Sequence, residues 1–147
     1  MNKENIKIKL LNEFAKIPTY GSDYSAGADL YACIDEEIKI LPKETRFINT
    51  GIQLEIPTGL VGLIYARSSL GCKKGLAPAN KVGVIDSDYR GEILVALYNH
   101  SNEIQVIKPN DRIAQIVFTP YYKAEFKEVD SLNDTIRGNG GFGSTNF

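Results

Sequence analysis

The stretch VGVIDSDYRGEILVAL, residues 82–97, decides how the fold is read. An apolar run ends at Ile85, a polar tip DSDYRG fills 86–91, and a second apolar run climbs from Ile93 to Leu97. That pattern reads as a β-hairpin with a wide tip. Outward from it, KVGVI (81–85) and EILVALYN (92–99) are the hairpin arms. The same strand chemistry recurs in IKIKLL (6–11), EIKIL (37–41), RFINTGIQLEI (46–56), LVGLIYA (60–66), IQVI (104–107) and RIAQIVFTPYY (112–122). Gly, Pro, Asn and Asp punctuate these runs at short intervals. No apolar period of three to four residues persists, so long helices are not expected. One helical turn is expected at SSLGCKKG (68–75), capped by a serine and stopped by Gly75. The spacing predicts an all-β barrel or sandwich of one domain, residues 1–130, followed by a flexible glycine-rich arm, 131–147.

A chain of 147 residues is long enough to bury a real core. Hydrophobic residues at 43% and charged residues at 24% are ordinary for a soluble globular protein. A net charge of −1 argues against a nucleic-acid partner held by a global basic field, so any bound phosphate needs locally placed groups. The amino end, MNKENIKIKLL, contains neither a secretory signal nor a membrane span, and the cytoplasm is the expected location. Cys33 and Cys72 are then expected as free thiols. His100 is the only histidine and lies far in sequence from both, which leaves a zinc site without ligands.

Histidine is the usual base for a serine or cysteine nucleophile, and His100 reads as a strand-end surface residue. A carboxylate activating water becomes the alternative engine. Asp86 is the candidate, because the strand before it would hold it at a fixed place. A solvated turn explains Asp86, Asp88 and Gly91 equally well, but not Tyr89, whose ring is costly at a polar tip unless something covers it. In YARSSLGCKKG, Arg67, Ser68 and Ser69 could hold an anion, or could be a capped turn beside a surface arginine. Lys73 and Lys74 read as a solvated face. In PNDRIAQI, Asp111 and Arg112 could pair locally, and Gln115 faces away from its apolar neighbours. In SAGADLYA, Gly27 permits a special backbone or the close approach of another chain. Asp29, inside an apolar run, either pairs with a cation or helps hold a metal ion.

In order, SAGADLYA (25–32), ARSSLGCKKGL (66–76), NKVGVIDSDYRGEI (80–93), NDRIAQ (110–115) and RGNGGFGST (137–145) resemble the five motifs of the homotrimeric dUTP pyrophosphatases, or dUTPases. The resemblance covers essentially the whole chain. It implies a small β-barrel-like, β-clip fold, and a homotrimer whose active sites are each shared by three chains. The implied reaction is hydrolysis of dUTP to dUMP and pyrophosphate by water attack at the α-phosphorus. That reaction limits uracil incorporation into DNA and supplies dUMP for thymidylate synthesis. Carried over by resemblance, Asp86 orients and deprotonates the water, and Tyr89 lies against the deoxyribose and excludes a 2′-hydroxyl. Asn80, Val84, Ile85 and Leu94 read the uracil. Arg67, Ser68, Ser69 and Gln115 hold phosphate oxygens, and Asp29 reaches Mg²⁺ through water. Arg137 meets the γ-phosphate, Phe142 stacks on the base, and Gly143, Ser144 and Thr145 close the phosphate end.

Two departures from the family pattern are visible. Asn110 stands where glycine is more frequent, and asparagine also tolerates the left-handed region. Asn146 follows Ser-Thr where glycine is common. The rival readings are a dCTP deaminase or bifunctional deaminase of the same fold group, and a catalytically silent nucleotide-binding regulator.

Overall fold

In the computed structural model, which describes residues 4–141, the alternating aliphatic stretches form twelve strands. They are β1 (Lys7–Leu10), β2 (Thr19–Tyr20), β3 (Ala28–Tyr31), β4 (Ile38–Ile40), β5 (Thr45–Asn49), β6 (Ile52–Glu55), β7 (Leu60–Tyr65), β8 (Leu76–Pro78), β9 (Gly83–Ile85), β10 (Leu94–Asn99), β11 (Gln105–Ile107) and β12 (Arg112–Pro120). Every pairing is antiparallel. A five-stranded sheet runs β2-β3-β12-β7-β9, a three-stranded one β5-β10-β8, and two ribbons pair β1 with β6 and β4 with β11. The all-β reading with one short helix is what the structure has.

The core is aliphatic. Leu30, Ile40, Ile48, Leu76, Leu97, Ile107 and Ile116 are fully buried, and no aromatic side chain is among the buried core residues described. Burying each large aliphatic chain contributes about 1.5–3 kcal/mol. The aromatics sit outside: Phe14, Phe47, Tyr122 and Phe126 are each more than 60% exposed. Beyond β12, residues 121–141 form no strand and are mostly exposed. On the β1–β6 ribbon, Lys7 Nζ pairs with Glu55 Oε1 at 2.7 Å, and this hydrogen bond holds the Glu55 carboxyl below its usual range.

The hairpin reading of 82–97 needs correction. β9 pairs with β7 in one sheet, whereas β10 pairs with β5 and β8 in another. Apolar arms around a polar tip are shared by a true hairpin and by a strand pair that diverges into two sheets, and local pattern cannot separate them. The run 46–56 is likewise two strands, because Gly51 turns the chain with φ +69°. β2, β3 and β8 are too short or too small-residue-rich to stand out as strands in the sequence.

The turn after β7 is a six-residue π-helix, Ser69–Lys74. Gly75 ends it at φ 67°, donating its backbone N–H to the Leu70 carbonyl. Ser68 sits at the cap position in helical geometry and makes no side-chain cap bond, so the expected serine cap is absent. Asn110 adopts φ 67°, the left-handed conformation its side chain tolerates. Asp111 does not pair with Arg112; its Oδ2 accepts from the Lys108 backbone N–H at 2.9 Å.

Candidate active site

Two concavities hold most of the candidate residues. The larger, about 430 Å³, is walled by Gly21, Ser25 and Gly27 on one side and by Arg67 and Ser68 on the other, with Asp29, Arg112 and Gln115 between. Adjacent strands bring these residues together: β3 pairs with β12 so that Asp29 faces Gln115, and Gln115 in turn faces Tyr65 of β7. A register shift between Arg112 and Ala114 turns Arg112 toward Asp29.

Asp29 is buried, and its carboxylate bridges two guanidinium groups. Oδ1 accepts from Arg67 Nε at 2.6 Å and Oδ2 accepts from Arg112 Nη1 at 3.2 Å. Arg67 also reaches Ser69 Oγ at 3.4 Å. Of the two readings of Asp29, the cation pair is thus present. Gln115 Nε2 donates to the Ala66 carbonyl at 2.9 Å. Its side chain fills the space over Gly27, where a Cβ would collide with the carboxamide. Gly27 therefore serves a close approach within its own chain.

Donor chemistry bears on a metal ion. Among the described residues no three His, Cys, Asp or Glu side chains cluster, and both oxygens of Asp29 already face guanidinium groups. Such a wall suits an anion and cages no resident cation; a small hard cation fits here only where it keeps its waters and arrives already bound to that anion.

The smaller cavity, about 180 Å³, lies where β9 and β10 diverge. Val84, Ile85, Ile93 and Leu94 line it, with Asp86, Tyr89 and Glu92 also on its wall. β9 is an edge strand, and β8 pairs only with Leu97–Asn99 of β10. Open backbone edges therefore border an apolar slot, and unpaired N–H and C=O groups are what can read a flat polar ring. Val84 is 60% exposed, which leaves apolar surface for a ligand or partner to cover. The Tyr89 hydroxyl donates to the Glu92 carbonyl at 3.0 Å.

The remaining candidates lie elsewhere. Asn80 is exposed in the turn before β9, and Ser69 and Arg137 line neither cavity. Arg137 Nε donates to the Gly140 carbonyl at 2.9 Å within a tight turn. Phe142, Gly143, Ser144 and Thr145 lie outside the described residues. His100 is exposed, with its ring edge-on to Tyr98, and Cys33 and Cys72 are free thiols. Arg112 and Glu92 were legible only as turn or strand residues; neither its bulge nor its long-range bonds has a local signal.

Fold and site define a class: a small antiparallel β-protein with a guanidinium-walled cleft and a separate apolar slot edged by a carboxylate. Comparison makes that class specific. A family model described as dUTPase matches residues 13–146. The chain is 49% identical over 148 residues to the deoxyuridine 5'-triphosphate nucleotidohydrolase of Desulfitobacterium hafniense, covering 99% of this chain and 98% of that protein. It is 50% identical over 140 residues to the enzyme of that name from Nautilia profundicola, covering 95% and 97%. The solved dUTPase of Staphylococcus bacteriophage 80alpha with dUpNHpp superposes with a TM-score of 0.84 at 26% identity, covering 99% of this chain and 100% of that one. A phage phi11 dUTPase variant, described with a structural Mg(II) ion, gives 0.77 at 26% identity over 87% and 98%. The chain belongs to the dUTPase family.

Proposed function

We propose that this protein hydrolyses dUTP to dUMP and pyrophosphate, with Asp86 as general base for a water that attacks the α-phosphorus. The observation that carries this reading is the placement of Asp86 and Tyr89 on the wall of the slot between β9 and β10. Uracil would lie between the open backbone edges near Val84, Ile85 and Leu94, with Asn80 at the entry. Tyr89 would stand against the deoxyribose and leave no room for a 2′-hydroxyl. Arg67, Ser68, Ser69 and Gln115 would hold phosphate oxygens, neutralising charge as it shifts in the transition state. When bound with the triphosphate, Mg²⁺ supplies further neutralisation of the phosphate oxygens, with Asp29 meeting its water shell.

The carboxylates of the slot favour hydrolysis over deamination. Besides Asp86, Glu92 lines it, but both Glu92 oxygens accept hydrogen bonds, from Gly51 N–H at 2.8 Å and Asn49 Nδ2 at 3.0 Å. Glu92 is thus an anchor, and Asp86 is the group left to work on water.

The active site is proposed to be completed by other copies in a homotrimer. Continuing the β9–β7 ladder one step past Ile85–Gly62 sets Asp86 level with Val61, whereas the Gln115 carboxamide bonds to Ala66. Those levels are five residues apart, about 17 Å along the strand at roughly 3.3 Å per residue. Groups acting on one phosphorus must come within about 3–3.5 Å of reacting atoms. Gln115 and Asp86 serving one α-phosphate therefore come from different chains, and the exposed aromatics supply surface for the contact. Residues 131–147 would form the arm that closes a site, with Arg137 on the γ-phosphate, Phe142 on the base and Gly143, Ser144 and Thr145 at the phosphate end. The free thiols support a cytoplasmic setting.

A nucleotide panel with Mg²⁺, followed by pyrophosphate release, tests the reading. dUTP should be cleaved, with UTP, dCTP and dTTP poor substrates. Asp86→Asn should lower turnover by about 10²–10⁴-fold while dUTP still binds. Equal cleavage of UTP, or unchanged turnover in that variant, would overturn it.

A further inference from the structure

The tip between β9 and β10 is fastened to a part of the chain distant in sequence. Glu92 Oε1 accepts from the Gly51 backbone N–H at 2.8 Å and Oε2 accepts from Asn49 Nδ2 at 3.0 Å. The next residue is held from the same turn. Thr50 Oγ1 donates to the Ile93 carbonyl at 2.6 Å, and the Ile93 N–H donates to the Ile52 carbonyl at 2.9 Å. Residues 49–52 thus each contribute one bond to fixing residues 92 and 93. The two bonds to the Glu92 carboxylate are charge-assisted, the stronger kind.

Tyr89 uses that anchored backbone. Its hydroxyl donates to the Glu92 carbonyl, and its ring lies so close over Gly91 that a Cβ there would collide with the phenol. The Tyr89 side chain is 44% exposed, so water competes for its hydroxyl and packing alone does not fix the ring. A hydrogen bond to a backbone that is itself immobile selects one ring position. Gly51 belongs to the same device, because a Cβ on it would meet the Ala15 and Cys33 side chains at 2.7 Å.

We propose that Glu92 is a positioning residue for sugar discrimination. By tying the carbonyl that receives the Tyr89 hydroxyl to the Asn49–Gly51 turn, it sets the ring's height over the slot and hence the room left at the 2′ position. This rests on the reading of Tyr89 as the wall against the deoxyribose.

The test compares kcat/KM for dUTP and for UTP, with Mg²⁺, in the full chain and in Tyr89→Ala, Glu92→Ala, Glu92→Gln and Asn49→Ala. Unfolding and sedimentation identify the variants that fold. Glu92→Ala should lower the dUTP/UTP ratio by about tenfold to a hundredfold, the scale of a small misplacement at a reacting centre. Glu92→Gln, whose Oε1 still accepts from Gly51, should restore most of the ratio, which a general loss of stability would not do. Adding Tyr89→Phe to Glu92→Ala should lower it no further. If Glu92→Ala does not fold, Asn49→Ala carries the same expectation at smaller size. An unchanged ratio in the folded variant, alongside a relaxed Tyr89→Ala, overturns the positioning role. A Tyr89→Ala enzyme that keeps the full ratio overturns the reading beneath it and the proposal with it.

Discussion

Asp29 Oδ1 accepts from Arg67 Nε at 2.6 Å, and both side chains are mostly buried. Removing the charge from Asp29 leaves two guanidinium groups facing each other across an amide. Asp29→Asn should therefore destabilise the fold by about 1–3 kcal/mol, even with nucleotide and Mg²⁺ absent. Thermal unfolding of the free enzyme measures it. An unchanged midpoint would mean that Asp29 acts only through bound ligand.

Gly27 and Gln115 are coupled by contact. Because a Cβ at residue 27 would overlap the Gln115 carboxamide, Gly27→Ala must push that side chain off the Ala66 carbonyl. Turnover should fall, with a stability loss of about 1–3 kcal/mol from overpacking. Steady-state kinetics and a denaturant titration check both, and wild-type kinetics would separate Gln115 from the reaction.

Shared sites predict complementation. Asp86→Asn and Gln115→Ala trimers should each be nearly inactive. Co-refolded in equal amounts, they should regain roughly a quarter of the sites if, as proposed, each site draws the two residues from different subunits assorted at random. No recovery in demonstrably mixed trimers would return both residues to one chain.

The arm gives a deletion test. Residues 121–141 form no strand, and Ile136 and Leu132 are almost entirely exposed. Removing residues 137–147 should abolish turnover and leave sedimentation unchanged, whereas a fully active truncation would contradict the closing role.

Much of this was legible in the sequence, for identifiable reasons. Strands such as β7 and β12 announce themselves because branched aliphatics recur without a helical period. Gly75 and Asn110 were readable because left-handed backbone restricts which residues can stand there. Long-range partners were not. Arg112 reads as half of a local pair with Asp111, yet a bulge turns it to Asp29, 83 residues away. Glu92 reads as a strand residue, yet it is bonded to a turn 41 residues away. The hairpin failed similarly, because which sheet each arm joins is settled by partners such as β5 and β7.

The central claim is that water attacks the α-phosphorus of dUTP, activated by Asp86. Hydrolysis in ¹⁸O-labelled water, with products resolved by mass spectrometry, tests it most directly. The label should appear in dUMP and not in pyrophosphate, at a rate that collapses in Asp86→Asn. Label in pyrophosphate would place the attack at the β-phosphorus and contradict the account.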